Sequence, residues 1–312
     1  MQSAASLPPL RIGTRGSPLA LAQAHLVRRL LAAAHGVAED AIEVRILRTT
    51  GDAIQDRPLA DVGGKGLFTK EIEQALLDGG IDLAVHSAKD MVTVLPAGLV
   101  LAACLEREDP RDVFVSPKAD ALADLPHGAS VGTASLRRAA QVKLLRPDVS
   151  IVPLRGNVGT RLAKIADGVA DATILALAGL KRLGMADKAT AILDPQQFLP
   201  AVGQGAIAIE TRENDAATRA LVARINHGDT LTAVLAERAF LAVLDGSCKT
   251  PIAGHARIDG ERLSFRGLIA KPDGSAFFEA SRAGTVRDAA ALGADAAQEL
   301  KRRAGADFFA EH

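Results

Sequence analysis

The chain has no tryptophan, no tyrosine, only two cysteines and no net charge, its 37 lysines and arginines being matched by 37 aspartates and glutamates. Each shortage excludes something. Without indole or phenol rings to stack bases, and without a sequence-wide basic face, nucleic acid is not an expected partner. Cys104 and Cys248 build no disulfide framework, and the seven histidines show no metal-ligand spacing with them. A metal centre is therefore not expected, and a reducing cytoplasm is the expected compartment. Met1 to Leu10 lacks a basic start followed by an apolar run. Nowhere does an uninterrupted apolar stretch of about 18 residues occur, so no membrane partner is expected either. With 48% hydrophobic residues over 312 positions, the chain can bury a large core and divide into two or three domains.

What is abundant is arginine at two turns. Val131-Gly132-Thr133-Ala134-Ser135-Leu136-Arg137-Arg138 and Leu154-Arg155-Gly156-Asn157-Val158-Gly159-Thr160-Arg161 each read as a strand running into a helix start. Free N–H groups, small hydroxyl or amide side chains and the helix dipole favour an anion there, and arginine forks add bidentate pairing with carboxylate or phosphate. One such turn reads equally as a capped helix with surface arginines. Two together point to a small, multiply charged anion. Arg137 and Arg138, adjacent and so about 100° apart on a helix, are expected to serve different groups.

A weak internal repeat indicates the architecture. Ile12-Gly13-Thr14-Arg15-Gly16-Ser17-Pro18-Leu19-Ala20 resembles Val131-Gly132-Thr133-Ala134-Ser135-Leu136 with one residue removed. The segment from Ala75 through Asp78-Gly79-Gly80 to Val85 matches that from Lys164 through Asp167-Gly168-Val169 to Ile174, a helix closed by glycine and followed by a buried strand. The fold class expected is α/β: two similar lobes with mostly parallel, doubly wound sheets, whose ligands gather beyond the strand C-terminal ends. Charged, proline-broken Leu105 to Arg111 reads as a first crossing between lobes, and Phe198 to Gly205 as a second. Gly203-x-Gly205 leads into a strand rather than a helix, so it is no dinucleotide fingerprint. From about Thr230 the pattern changes to helix, short strands and a final helix over about 288–303, the order of a separate α+β domain on an antiparallel sheet. The division expected is 1–105 with 201–226, then 106–200, then 227–312.

Three further segments carry reactive groups. His86-Ser87-Ala88-Lys89-Asp90 sets a hydroxyl, an ammonium and a carboxylate at a strand end, groups suited to ion pairing or proton transfer and also common as strand caps. Lys65 lies in Val62-Gly63-Gly64-Lys65-Gly66-Leu67-Phe68, a mobile lid or an ordinary glycine-rich connection. Cys248 stands beside Lys249 in a tight loop, as a thiolate favoured by that charge or as an inert buried thiol.

Taken in order, these segments, with Glu106-Arg107-Glu108-Asp109-Pro110-Arg111-Asp112 and Leu199-Pro200-Ala201-Val202-Gly203-Gln204-Gly205, resemble the porphobilinogen deaminase (hydroxymethylbilane synthase) family from Arg11 to about Pro251 and more faintly beyond. The resemblance implies a monomeric cytoplasmic transferase of tetrapyrrole (haem) biosynthesis. It would join four porphobilinogen molecules head to tail, with loss of ammonia, into linear hydroxymethylbilane. It also implies two lobes like those of periplasmic binding proteins with a catalytic cleft between them, and a third domain bearing a covalent dipyrromethane cofactor on Cys248 through a thioether. By resemblance Asp90 is catalytic. Cofactor-binding positions fall on Ser87, Lys89, Thr133, Ser135, Arg137 and Arg138. Substrate-binding positions fall on Arg15, Ser17, Lys65, Phe68, Arg155, Arg161 and Arg182.

Three positions depart from the family pattern: Asp61 where many relatives carry lysine, Val92 near a usual proline, and Ser247 in place of a glycine before Cys248. None removes a group the chemistry requires. A non-enzymatic anion receptor or sensor on the same scaffold is the competing reading; it accounts for the repeat and the arginines but not for Cys248 or Asp90.

Overall fold

The computed structural model describes residues 10–53, 66–244, 250–305 and 308–309. Lys65 and Cys248, and with them Asp61 and Ser247, lie outside the described residues. The chain separates into two compact units, one of residues 1–54, 64–107 and 206–231, the other of 55–63, 108–205 and 232–312.

In the first unit a five-stranded sheet has the order β2-β1-β3-β10-β4, made by β1 (Leu10–Arg15), β2 (Ile42–Leu47), β3 (Leu83–Ser87), β4 (Leu99–Cys104) and β10 (Ile207–Arg212). Helix α1 (Pro18–His35) follows β1. Ser17 caps its start by accepting from Ala20 N, Pro18 sits where no N–H is needed, and left-handed Gly36 closes it. Its apolar face, with Ala24, Val27 and Leu31, packs on Ile12, Leu83 and Val85. After the short helical turn α2 (Thr50–Ala53), helix α3 (Lys70–Leu77) covers the opposite face through Ile72 and Leu76 against Ala84 and Leu99. Buried on both faces, β3 has no polar alternation before His86.

The second unit repeats this plan as β7-β6-β8-β5-β9, from β5 (Asp112–Val115), β6 (Ser130–Gly132), β7 (Ser150–Val152), β8 (Ala172–Ala176) and β9 (Ala191–Ile192). Helices α4 (Leu136–Leu145) and α5 (Val158–Ala166) follow β6 and β7, and α6 (Leu177–Arg182) follows β8. Each sheet holds one reversed strand, β10 between β3 and β4 and β5 between β8 and β9, where the sequence suggested mostly parallel pairing. Both follow a crossing directly: a chain that comes over from the other unit enters its sheet from the opposite end. At the second crossing Gly205 has φ +88°, and an added Cβ would stand 2.2 Å from Glu108 O, so only glycine allows this approach.

The remainder of the second unit is an antiparallel sheet of β11 (Ile252–Asp259), β12 (Arg262–Ala270) and β13 (Phe277–Thr285), packed by α8 (Gly228–Val243) and α9 (Ala289–Ala304) around Phe240, Phe265 and Leu300. Between β10 and α8 runs α7 (Ala216–Ala223). These strands are longer than the hydrophobic alternation suggested, because ladder pairing runs on through exposed Arg257 and half-buried Arg282 to the hairpin ends.

Candidate active site

In the first unit β1 and β3 end side by side and deliver their following turns to one pocket. Arg15, Ser17, Leu19, Ala20, Gln23, Phe68, Thr69, Val85, His86, Ser87 and Asp90 line it, enclosing about 380 Å³ open to solvent. Asp90 ends the short 3-10 turn Ala88–Asp90, exposed beside the exposed Lys89, and the turn is tied to the sheet by Ala88 N donating to Ala206 O at 3.0 Å. Ser87 and buried Gln23 hold each other: the Gln23 amide nitrogen donates to Ser87 Oγ at 2.9 Å, and the two oxygens lie 3.2 Å apart. The Phe68 ring lies over Arg15, whose guanidinium carbon is 4.1 Å from the ring centre. Gly51 leaves room for that ring, since a Cβ there would approach it to 2.4 Å.

In the second unit the two arginine turns stand at the starts of α4 and α5. Ser135 caps α4 by accepting from Arg138 N, and Asn157 caps α5 by accepting from Thr160 N at 2.9 Å. Thr133, buried, accepts from Ser135 N at 3.1 Å. Arg137 and Arg138 do not serve different groups as the helix angle suggested. Both are buried on the carboxylate of Asp112, at 2.8 Å each. The long side chains bend toward one charge because a buried guanidinium without a counterion is costly. Burial pushes the Asp112 carboxyl up, yet the two positive charges outweigh that and hold it at about 2, while burial lowers Arg137 from the usual arginine range. Arg137 and Gln141 also donate to Leu199 O, which fastens α4 to the second crossing.

Arg155 is half-buried and has no ion-pair partner among the described residues. Arg161 donates to Gly156 O at 2.8 Å. Arg182 donates to Gly205 O at 2.6 Å, so it braces the second crossing; burial lowers it, against the charge of Glu108. His86, on the pocket wall, meets buried Glu210 of β10, Nε2 standing 3.1 Å from Oε2. Sequence reasoning passed over Gln23, Asp112 and Glu210. Gln23 was open to a periodicity argument, being one helical turn beyond Leu19 and Ala20; the two acids, far from their partners in sequence, were not.

The sequence matches two family descriptions, "Porphobilinogen deaminase, dipyromethane cofactor binding domain" over residues 10–220 and "Porphobilinogen deaminase, C-terminal domain" over residues 231–302. The porphobilinogen deaminase of Nitrobacter winogradskyi is 65% identical over 298 residues, covering 96% of this chain and 94% of that protein. The chain belongs to the porphobilinogen deaminase family. The Paracoccus denitrificans member is 57% identical over 301 residues, covering 96% of each. Among solved structures, the methionine-binding protein MetQ has a TM-score of 0.43 at 15% identity over 76% of this chain and 96% of its own. The periplasmic VFT2 domain of Bordetella pertussis BvgS has 0.39 at 17% over 69% and 86%. Members of the family are transferases, and the chain is an enzyme of that kind, a hydroxymethylbilane synthase with a dipyrromethane cofactor binding domain.

Proposed function

We propose that the pocket around Asp90 performs the condensation of porphobilinogen, and that the second unit supplies charge for the carboxylates of the substrate and the growing chain. Every pyrrole brings an acetate and a propionate. Ser17 and Ser135 accept from backbone N–H groups as caps and still have a hydroxyl proton to donate to an anion. Arg155 offers an uncommitted fork. When ammonia leaves porphobilinogen, an electron-poor azafulvenium remains, and the Asp90 carboxylate stabilises that charge by standing where it develops. Phe68 closes the pocket over the ring plane. The observation that carries the reading is the meeting of Asp90, Ser87, Ser17 and Arg15 around one pocket.

The dipyrromethane, when bound, supplies the pyrrole α-carbon from which the chain grows. The residues fit it. Arg137 and Arg138 set two positive charges against the single charge of Asp112, and Arg137 Nε is a buried donor with no hydrogen-bond partner among the described residues. That surplus lies at the start of α4, where Ser135 and Thr133 add hydroxyls, and it suits a cofactor carboxylate. Cys248 is the proposed thioether anchor. In this reading residues 1–105 with 201–226 carry the chemistry, 106–200 the charge and 227–312 the anchor. The protein works as a cytoplasmic monomer on porphobilinogen, without nucleic acid or membrane. Among the described residues no helix is long and apolar enough to cross a membrane.

The test is the intact mass of wild type and Cys248→Ser. Wild type is expected to carry the mass of a dipyrromethane and the variant the bare chain mass, since a hydroxyl is a far poorer nucleophile than a thiolate. An adduct retained on the serine variant would move the anchor elsewhere.

A further inference from the structure

Behind the Asp90 pocket lies a buried polar cluster that the proposed chemistry does not use. His86 lines the pocket and reaches back to Glu210, Nε2 standing 3.1 Å from Oε2, with both side chains almost fully buried. Glu210 Oε1 has no hydrogen-bond partner among the described residues. Glu73 on α3 and Thr69 before it are buried too, with Glu73 Oε1 and Thr69 Oγ1 likewise lacking partners. Burial, above all, pushes the Glu73 carboxyl up; the charge of Glu210 adds to this and His86 opposes it.

The second unit shows what the scaffold itself requires at these places. In the repeat that pairs Leu83 with Ala172, His86 corresponds to Leu175, Glu73 to Leu162 and Thr69 to Val158. Glu210 faces Ala84 across the reversed strand as Val115 faces Thr173. Leu175, Val115, Leu162 and Val158 form one hydrophobic cluster. The same fold is thus built with four apolar side chains where this unit buries four polar ones, at a desolvation cost that packing does not demand.

We propose that Glu210 and His86 form a proton-accepting dyad of the Asp90 pocket. It rests on the reading that Asp90 marks the reacting centre. The Glu210 carboxylate accepts from Nε2–H and so leaves the imidazole lone pair on Nδ1, on a ring that lines the pocket. When the new carbon–carbon bond has formed, the attacked pyrrole α-carbon still bears hydrogen. That C–H bond breaks, its electron pair restores the aromatic ring, and the proton goes to Nδ1. The imidazolium is stabilised by Glu210 until the proton passes to solvent through the open mouth. Asp90 is left free to hold the azafulvenium charge. Charged groups around the ring are Arg15 from β1, Asp90 from the turn, Glu73 from α3 and Glu210 from β10.

The test uses holoenzyme carrying E210Q, H86Q, the pair together, and the triple E73L/H86L/E210V that copies the second unit. Ammonia release is followed against porphobilinogen concentration and pH, with melting temperature and adduct mass beside it and D90N as reference. E210Q and H86Q are each expected to lower kcat about 10- to 100-fold with KM within about twofold, as loss of a group that orients a ligand typically does. The pair is expected to be no slower than H86Q alone, because one residue acts through the other. Removing the Glu210 charge should also alter the pH profile of kcat, because the proton-accepting ring loses its partner. The triple is expected to fold, to melt no lower than wild type and to turn over slowly. Wild-type kcat and pH profile in E210Q or in a folded triple would overturn the dyad, as would losses that multiply in the pair. If D90N alone is unimpaired, it is the assignment of the pocket that fails. Should the triple not fold, the kcat and pH profile of E210Q decide.

Discussion

The two units are copies of one plan that bury different polar groups. In the first, Asp82 accepts from Arg11 N at the start of β1 while its own N–H donates to Arg11 O; in the second, Asp171 does the same to Ser130 at the start of β6. Both strands following these aspartates pair in the same register, and both connecting helices end in the same hydrogen-bonded glycine turn, at Gly79 and Gly168. The divergence in buried polar groups falls at strand ends, on the reversed strands and at the start of the helix that carries Glu73. Where β3 runs out into Ser87-Ala88-Lys89-Asp90, β8 runs out into Ala176-Leu177-Ala178-Gly179. Where β5 buries Asp112 opposite Ala176, β10 has Ile207 opposite Ser87. The shared scaffolding shows which residues the fold needs, and what remains is an exposed Lys89-Asp90 turn in one unit and a buried arginine pair in the other.

That comparison breaks most readily at Asp112. Its replacement by asparagine leaves two buried guanidiniums without their charge, and breaking a buried pair costs about 3–5 kcal/mol. The loss should appear as a lower denaturation midpoint, and a wild-type midpoint would show that the arginines find another counterion. The linkage runs in the usual carboxylate direction. The folded carboxyl, at about 2, lies below the ordinary 3.8, so its stabilisation is present above pH 4 and disappears as pH falls toward 2.

Asp90→Asn should instead leave the midpoint alone and lower kcat by about 100- to 1,000-fold, the cost of one preorganised electrostatic contact. The variant should be loaded with preformed primer before ammonia release and the ladder of adduct masses are read. Normal release would remove Asp90 from the reaction.

In the second unit, Arg155→Leu is expected to weaken elongation about ten- to a hundredfold by leaving a carboxylate without its charged donor, about 1.5–3 kcal/mol. Arg302, exposed on the last helix, is the control. Equal loss from both substitutions at equal stability would count against a polyanion site. The smallest effects sharpen the comparison. Ser17→Ala and Ser135→Ala each remove a helix cap worth about 1 kcal/mol, so their denaturation midpoints should fall alike. If each hydroxyl also meets a carboxylate, as proposed, turnover should fall beyond that in both; activity following stability alone would reduce them to caps.

Much of this protein was legible in one dimension because its causes are local. Ser17, Ser135 and Asn157 cap helices from within a turn, glycines close the helices, and the repeat of the Asp82 and Asp171 segments shows in the residues themselves. The motif around Asp90 was readable for the same reason: a strand end and its turn are a single short segment. Which charges meet was not readable. Arg137 and Arg138 reach Asp112 across a sheet, Arg182 reaches Gly205, and His86 reaches Glu210 on a strand that arrives only after the chain has crossed to the second unit and returned. Helix angles and spacing carry no information about such partners, because burial chooses them: a charge taken out of water pairs with whatever the packed sheet brings within reach. The sequence by itself therefore determined the elements, their repetition and the chemistry of the exposed turns, whereas the tertiary structure decided which ionisable groups share a site, through desolvation that exists only once the sheets have closed.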